Sequence, residues 1–198
     1  MNRTLVRMAS LGAAVLIGCP GVARGQSPTS WLDEARPATW NARGVPVPAA
    51  PAVEGRIDPR CRALARPAQG EEDRRVRGKG WDLVGAYQGG WQMLVIQGTA
   101  GYDGMCRPRM YQAFVFVRGV FAGTLSPKPM DSRTDGALSR VTLADKRITA
   151  EYLRYRPADP LCCASRTANV TFDVTGVPVV VPTGITHAPL TRAAGASP

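Results

Sequence analysis

Histidine is almost missing from this chain of 198 residues: His187 is the only one, and it stands beside Ala188-Pro189 near the C-terminal end. With no serine or cysteine close by, it excludes a histidine-based catalytic triad. Gly-x-Ser-x-Gly, phosphate-loop and His-Glu-x-x-His patterns are also lacking, which removes the commonest hydrolase, nucleotide and zinc-protease readings. No apolar run is long enough to be a permanent bilayer-spanning helix. No long amphipathic helix and no internal repeat is visible. Acids are scarce beside bases, 15 against 25, so the net charge is +10.

What is abundant is proline and glycine, 17 and 21 residues, with an apolar fraction of 44%. That composition favours strands and turns with irregular ends over a helical bundle, and the length allows one ordinary domain. Arg3 and Arg7, the apolar run Met8 to Ile17, then Pro20 and the small residues Gly21, Ala23 and Gly25 have the layout of a secretory signal peptide over 1–25. Ala23-Arg24-Gly25 offers ordinary cleavage before Gln26. Leu16-Ile17-Gly18-Cys19 has the order of a lipobox, in which Cys19 would be acylated and become the mature N-terminus. Removal of 1–25 takes three arginines and no acid, leaving about +7. A basic exported chain fits anionic envelope components as partners, by attraction that salt screens. Nucleic acid is not expected, since no binding module is present, and contact with a membrane is expected only through a lipid anchor.

Residues 26–75 form a Pro/Ala/Arg-rich lead-in with Val45-Pro46-Val47-Pro48 on an extended path. Trp31 and Trp40 are expected to dock it in part onto the domain, because their large apolar area seldom stays wet. Asp58-Pro59 can open one helical turn, and Glu71 to Arg75 reads as a solvated turn. A β-domain follows over 76–182. Trp81 to Tyr87 and Trp91 to Gln97 are split by Gln88-Gly89-Gly90, a hairpin signal. Tyr111 to Val117 is apolar on both faces and reads as a central strand, turned at Arg118-Gly119 into Val120 to Leu125. Val141, Leu143, Ile148, Ala150 and Tyr152 mark the inner face of a hairpin turned at Asp145-Lys146. Ala168, Val170, Phe172 and Val174 mark a half-buried strand. Val177 to Val181 reads as an edge strand between Pro178 and Pro182, and 183–198 as a flexible tail. Short turns imply antiparallel pairing. The expected fold is mainly β, an antiparallel meander or curled sheet, or a partly open barrel.

Four cysteines remain after export: Cys61, Cys106, Cys162 and Cys163. An even count in an oxidising compartment points to two disulfides, with three connectivities to choose from. Adjacent cysteines bond to each other only with difficulty, since the bridge favours more widely spaced α-carbons. Cys162 and Cys163 are therefore expected to pair separately with Cys61 and Cys106. Met105, Met110 and Met130 would be needed to make a soft-metal site of the double cysteine, and no histidine completes one, so neither metal nor cofactor is expected. Asp131 to Gly136 has the start of a calcium loop. Arg133 falls on a ligand position there and Thr142 where the closing glutamate belongs, so a capped turn with Gly136 at positive φ is the better reading. Paired carboxylates can hydrolyse glycosides, and Asp103 and Asp159 are among the acids present. Sequence does not place two of them across a cleft, and Asp159 before Pro160 reads as the start of the turn that delivers Cys162.

Tyr102-Asp103-Gly104-Met105-Cys106, Phe114 to Val117 with Gly119, Phe121 to Leu125, Met130 to Arg133, and above all Arg154-Tyr155-Arg156-Pro157-Ala158-Asp159-Pro160-Leu161-Cys162-Cys163 resemble the LppP/LprE lipoproteins, a bacterial exported family. The similarity runs from about Gly80 to Val174 and leaves the lead-in aside. One departure is that Ala164-Ser165 stands where the family typically has Pro-Ser after the double cysteine. The resemblance implies an exported protein, either in the periplasm or an outer-membrane or cell-surface lipoprotein, and adds weight to acylation at Cys19. It brings no catalytic residues and no ligand. The chain is thus read as a non-enzymatic envelope protein with a binding or structural role. Arg107, Arg109, Arg154 and Arg156, which flank the cysteines, are the candidate anion-binding face. Two alternatives stand beside it: an envelope enzyme working by thiol–disulfide exchange at Cys162/Cys163 or by carboxylate hydrolysis, and a small inhibitor of a periplasmic enzyme.

Overall fold

The computed structural model describes residues 30–34, 36–55, 57–160 and 162–190. The expected signal peptide, Cys19, and residues 191–198 of the expected tail lie outside the described residues. Strands β1 Asp82–Gly90, β2 Met93–Tyr102, β3 Pro108–Val117 and β4 Val120–Thr124 form one antiparallel meander, and β5 Ala137–Ala144, β6 Arg147–Arg154, β7 Arg166–Val174 and β8 Val180–Pro189 form a second. The mainly antiparallel β architecture expected from the sequence is therefore divided between two four-stranded sheets, and the barrel does not close.

Alternation explains how the sheets face each other. Ile148, Ala150 and Tyr152 of β6 and Ala168, Val170, Phe172 and Val174 of β7 point inward. They meet Met93 and Val95 of β2 and Tyr111, Ala113 and Val115 of β3 in one cluster. Tyr152 also donates its hydroxyl to the Leu125 carbonyl at 2.7 Å, so a buried polar atom crosses the interior satisfied. The other face of β3 carries Phe114 and Phe116, which pack with Trp81, Leu83, Leu94, Ile96 and Phe121 in a second core. Strand β3 is central, as its two-faced apolar run requires, with β2 and β4 on either side.

The lead-in serves both cores. Ser30 caps a single 3-10 turn, Trp31–Asp33, and Trp31 and Leu32 are buried between the sheets. Trp31 meets Trp40 and Tyr152 edge-on, with centroids 5.1 and 5.8 Å apart, and Trp40 lies 6.1 Å from Phe172. Asn41 then bridges the margin where β4 and β8 approach: its Nδ2 donates to the Thr124 and Val180 carbonyls, both at 2.9 Å, and Thr124 N–H donates to its Oδ1 at 2.9 Å. Gly123 makes room for it. A Cβ at that position would stand 2.3 Å from Asn41 Cγ, and the backbone there has φ +131°. Beyond Asn41 the chain crosses the outer face of the first sheet, burying Val47 and accepting Trp81 Nε1–H on the Pro48 carbonyl at 2.8 Å.

The run Glu71 to Arg75, expected to be a solvated turn, is instead the start of helix α2, Glu71–Arg77; the earlier helical turn α1 spans Pro59–Arg62 behind its Asp58 cap. The reason is a buried side one turn long. Asp73 and Val76 stand three residues apart, so both face inward, and both are 0% exposed. Asp73 accepts from Arg66 Nη1 and Nη2 at 2.6 and 2.8 Å and from Gln69 N–H at 2.8 Å.

Three other expectations are corrected. The first hairpin turns at Trp91-Gln92, not at Gln88 to Gly90, because β1 carries a bulge between Val84 and Gln88 that absorbs the extra residues. Strand β8 continues to Pro189, where a flexible tail was expected, because its backbone pairs with β7 as far as Arg166. Finally, Cys61 bonds to Cys106 and Cys162 bonds to Cys163. Cys61 on α1 sits against the β2–β3 turn with its Cα 4.9 Å from that of Cys106. The double cysteine lies in the β6–β7 loop of the other sheet. Once Cys61 and Cys106 are joined, each adjacent cysteine has only the other among the described residues.

Two outcomes follow for stability. The Cys61–Cys106 bond spans 45 residues, and its replacement by a pair of alanines is expected to cost about 3–4 kcal/mol by chain entropy, read from urea unfolding. Burial pushes the Asp73 carboxyl up, but the hydrogen bonds from Arg66 and Gln69 outweigh it and hold its pKa below the ordinary value. A depressed carboxylate stabilises the fold above its unfolded pKa and ceases to do so as pH falls through the folded one. Asp73→Asn should therefore cost about 3 kcal/mol at pH 7, with a gap from the parent that narrows once pH drops below about 4.

Candidate binding site at the hairpin tips

Strands of a meander alternate in direction, so the turns sort to two ends. Trp91-Gln92, Arg118-Gly119, Asp145-Lys146 and the β7–β8 turn gather at one end and line a single cleft of about 590 Å³, to which Met93, Val117 and Val174 give an apolar floor. The rim carries exposed apolar side chains: Trp91 is 66% exposed and Val120 53%. On its other side Trp91 borders a second depression with Tyr87, Gln88, Thr142 and Leu143. Gln88 Oε1 is buried there with no hydrogen-bond donor among the described residues.

The backbone at these tips is not relaxed. Trp91 and Gln92 lie at φ +54° and +62°, Arg118 at +50° and Asp145 at +37°. Two-residue hairpin turns favour positive φ because it matches strand twist, yet Asn and Gly are the residues that adopt it cheaply. A tryptophan at the first such position is an outlier of the kind that surrounding structure must enforce. Here Arg118 supplies part of that enforcement: its N–H donates to the Gln92 carbonyl at 2.9 Å and its Nε to Gln92 Oε1, which locks two tips together. Lys146 is held by its own backbone, whose carbonyl accepts Val174 N–H at 2.7 Å. Arg118 and Lys146 face one acid in the cleft lining, Asp145, leaving a net positive mouth.

The residues singled out from the sequence fall at the opposite end. Arg107 Nε donates to Asp103 Oδ2 at 2.6 Å, and Arg109 lies 3.7 Å from Asp131. Arg154 is 5% exposed and bonds Ser30 Oγ at 3.0 Å and Asp33 Oδ2 at 2.7 Å, so it anchors the lead-in and is withdrawn from solvent. Arg156 is exposed in the β6–β7 loop beside Asp159. The four arginines thus serve four separate local contacts and form no common face. Asp103 and Asp159 belong to turns of different sheets, and each caps its own turn. Burial raises the Asp103 carboxyl, but hydrogen bonds from Arg107 and two backbone N–H groups win and keep it low; Asp159 is held low chiefly by the Arg156 N–H. Such carboxylates stay ionised. His187 stands exposed on β8 opposite Ala168, in a strand and not a tail.

The fold is a β-sandwich of two four-stranded antiparallel sheets, with a cleft at its hairpin tips. Residues 87–177 match the model of the LppP/LprE lipoprotein family. The stretch starts inside β1 and ends within the β7–β8 turn, so it takes in three tips whole, the start of the fourth and Cys162–Cys163, and leaves out the lead-in, both helices and β8. The match suggests an exported, envelope-associated lipoprotein. No curated protein and no solved structure matches the chain.

Sequence reasoning missed Trp91 and Lys146 because it counted the tryptophan as strand and the lysine as an ordinary turn residue. Positive φ is costly for a tryptophan and far less so for an asparagine. Trp91→Asn is expected to raise stability by up to about 1 kcal/mol, measured as an upward shift of the urea midpoint.

Proposed function

We propose that the protein is a non-enzymatic binding module of the cell envelope, which holds an anionic envelope component in the cleft at its hairpin tips. The observation that carries this is the exposed Trp91, kept at positive φ on the rim of a cleft that also presents Arg118 and Lys146. Exposed aromatic and apolar side chains give a surface for a flat or apolar part of the ligand. The two cations meet its acidic group, and the basic mature chain steers it in. The lead-in, in this reading, is a tether whose inner part has become part of the domain, consistent with attachment of the N-terminus to a membrane by acylation at Cys19.

The test is binding of the mature chain to a purified anionic wall polysaccharide and, separately, to phosphatidylglycerol vesicles. Binding to one of them should weaken as salt rises from 50 to 300 mM. Trp91→Asn and the pair Arg118→Gln/Lys146→Gln should each lower affinity by about tenfold or more, the loss of one good contact, while Arg107→Gln/Arg109→Gln leaves it unchanged. Equal loss from the latter pair would move the site to the other end of the sandwich. Binding to neither probe would remove the anionic ligand.

A further inference from the structure

The second disulfide poses a separate question, because it cross-links nothing. Cys162 and Cys163 are sequence neighbours with Cα atoms 3.8 Å apart, so their bond closes a ring of two residues. A cross-link stabilises by restricting the unfolded chain, and the restriction grows with the loop it closes. Cys61–Cys106 does that over 45 residues; Cys162–Cys163 has almost nothing to restrict.

The loop that carries the pair is organised by other bonds. Asp159 Oδ2 accepts from Arg156 N–H at 2.7 Å, from Ser165 N–H at 3.1 Å and from Ser165 Oγ at 2.8 Å. These partners lie before and after the cysteines, so one carboxylate ties both ends of the loop. Cys163 N–H adds a turn bond to the Pro160 carbonyl at 3.1 Å. Arg133 Nη2 donates to the Asp159 carbonyl at 3.1 Å from the neighbouring β4–β5 connection and stacks over the Tyr155 ring at 4.3 Å. None of these contacts passes through sulfur. The loop therefore has the means to keep its shape whether the sulfur–sulfur bond is made or broken.

Access differs as well. Cys162 is exposed and Cys163 half-buried, whereas Cys61 is buried at the α1 contact. A thiol in solution reaches Cys162 first. The nearby guanidinium groups are already engaged, Arg133 with the Asp159 carbonyl and the Tyr155 ring and Arg156 beside the Asp159 carboxylate, so the difference between the two sulfurs is one of exposure.

From these observations we infer that Cys162–Cys163 is a stoichiometric redox site, a two-electron acceptor for thiols outside the cytoplasm, distinct from the cleft at the opposite end. A thiolate of the reductant attacks Cys162 Sγ. The new sulfur–sulfur bond forms as the bond to Cys163 breaks, and Cys163 leaves as a thiolate that takes a proton from water. A second thiol, or the second sulfur of a dithiol, then attacks the mixed disulfide on its own partner sulfur. That step releases Cys162 as a thiol and the reductant as a disulfide. Two electrons and two protons pass to the protein, and the Cys61–Cys106 bond takes no part.

The experiment uses the full mature chain, isolated without reductant, and reduced glutathione as the probe, followed by maleimide trapping and peptide mapping. Two thiols should appear, at Cys162 and Cys163, while Cys61–Cys106 stays closed and the melting temperature moves by less than about 4 °C, the scale of a single ordinary contact. In the Cys163→Ser variant, Cys162 should form a mixed disulfide with glutathione disulfide about tenfold faster than Cys163 does in Cys162→Ser, following exposure. Opening of Cys61–Cys106 at the same glutathione concentration would overturn the inference. So would a larger fall in melting temperature, equal rates in the two variants, or thiols already free at Cys162 and Cys163 in untreated protein. The binding assays of the cleft do not depend on any of these results.

Discussion

Strand β3 is the wall between two hydrophobic interiors, and the rest of the molecule follows from its having no solvent side. Tyr111, Ala113 and Val115 look toward the second sheet, while Phe114 and Phe116 look away from it. A sheet buried on one face could end the domain there. A sheet buried on both must find a second cover, and among the described residues the segment before β1 supplies it. This is why a segment rich in proline and alanine, with little capacity for regular structure, is nevertheless held. Val47, Val76 and Trp81 cap the aromatic face, and the ion pair of Arg66 with Asp73 fixes the short helix that carries Val76.

The same segment also seals the sandwich. Trp31 and Leu32 enter between the sheets, Trp40 follows, and Asn41 satisfies backbone groups of β4 and β8 at a margin where no strand pairing closes the structure. Edge strands expose unpaired donors and acceptors, and a side-chain amide that reaches both edges is an economical cover. Gly123 is the residue this requires, since any side chain there would occupy the space of Asn41. The lead-in is thus part of the domain although the family match begins beyond it, at residue 87.

The two ends of the sandwich differ in what organises them. At one, short turns between paired strands leave apolar and cationic side chains standing in solvent around a cleft. At the other, longer connections are held by carboxylates acting as caps and by sulfur. Asp103 and Asp159 each satisfy backbone N–H groups of their own connection, and Asp131 accepts the N–H of Met110 in β3. That employment accounts for acids that in sequence could be taken for hydrolytic or calcium-binding groups. Gly136 takes the positive φ that the turn after Asp131 needs.

Much of the fold was legible in the residues because it is written in local alternation. The double-faced run of β3, the inward residues of β6 and β7, and the turns at Arg118-Gly119 and Asp145-Lys146 need no knowledge of distant partners. Side-chain period two and turn chemistry are properties of a few neighbouring residues. What the sequence left open was every choice between partners far apart in the chain. Which cysteine bonds which, that Arg154 turns inward to Asp33, and that Glu71 to Arg77 winds into a helix over Val76 depend on which surfaces come together when the two sheets stack. The cleft belongs to the same class. Trp91 and Arg118 share an end because their own meander alternates in direction, and only the stacking of the second meander on the first brings Lys146 to them.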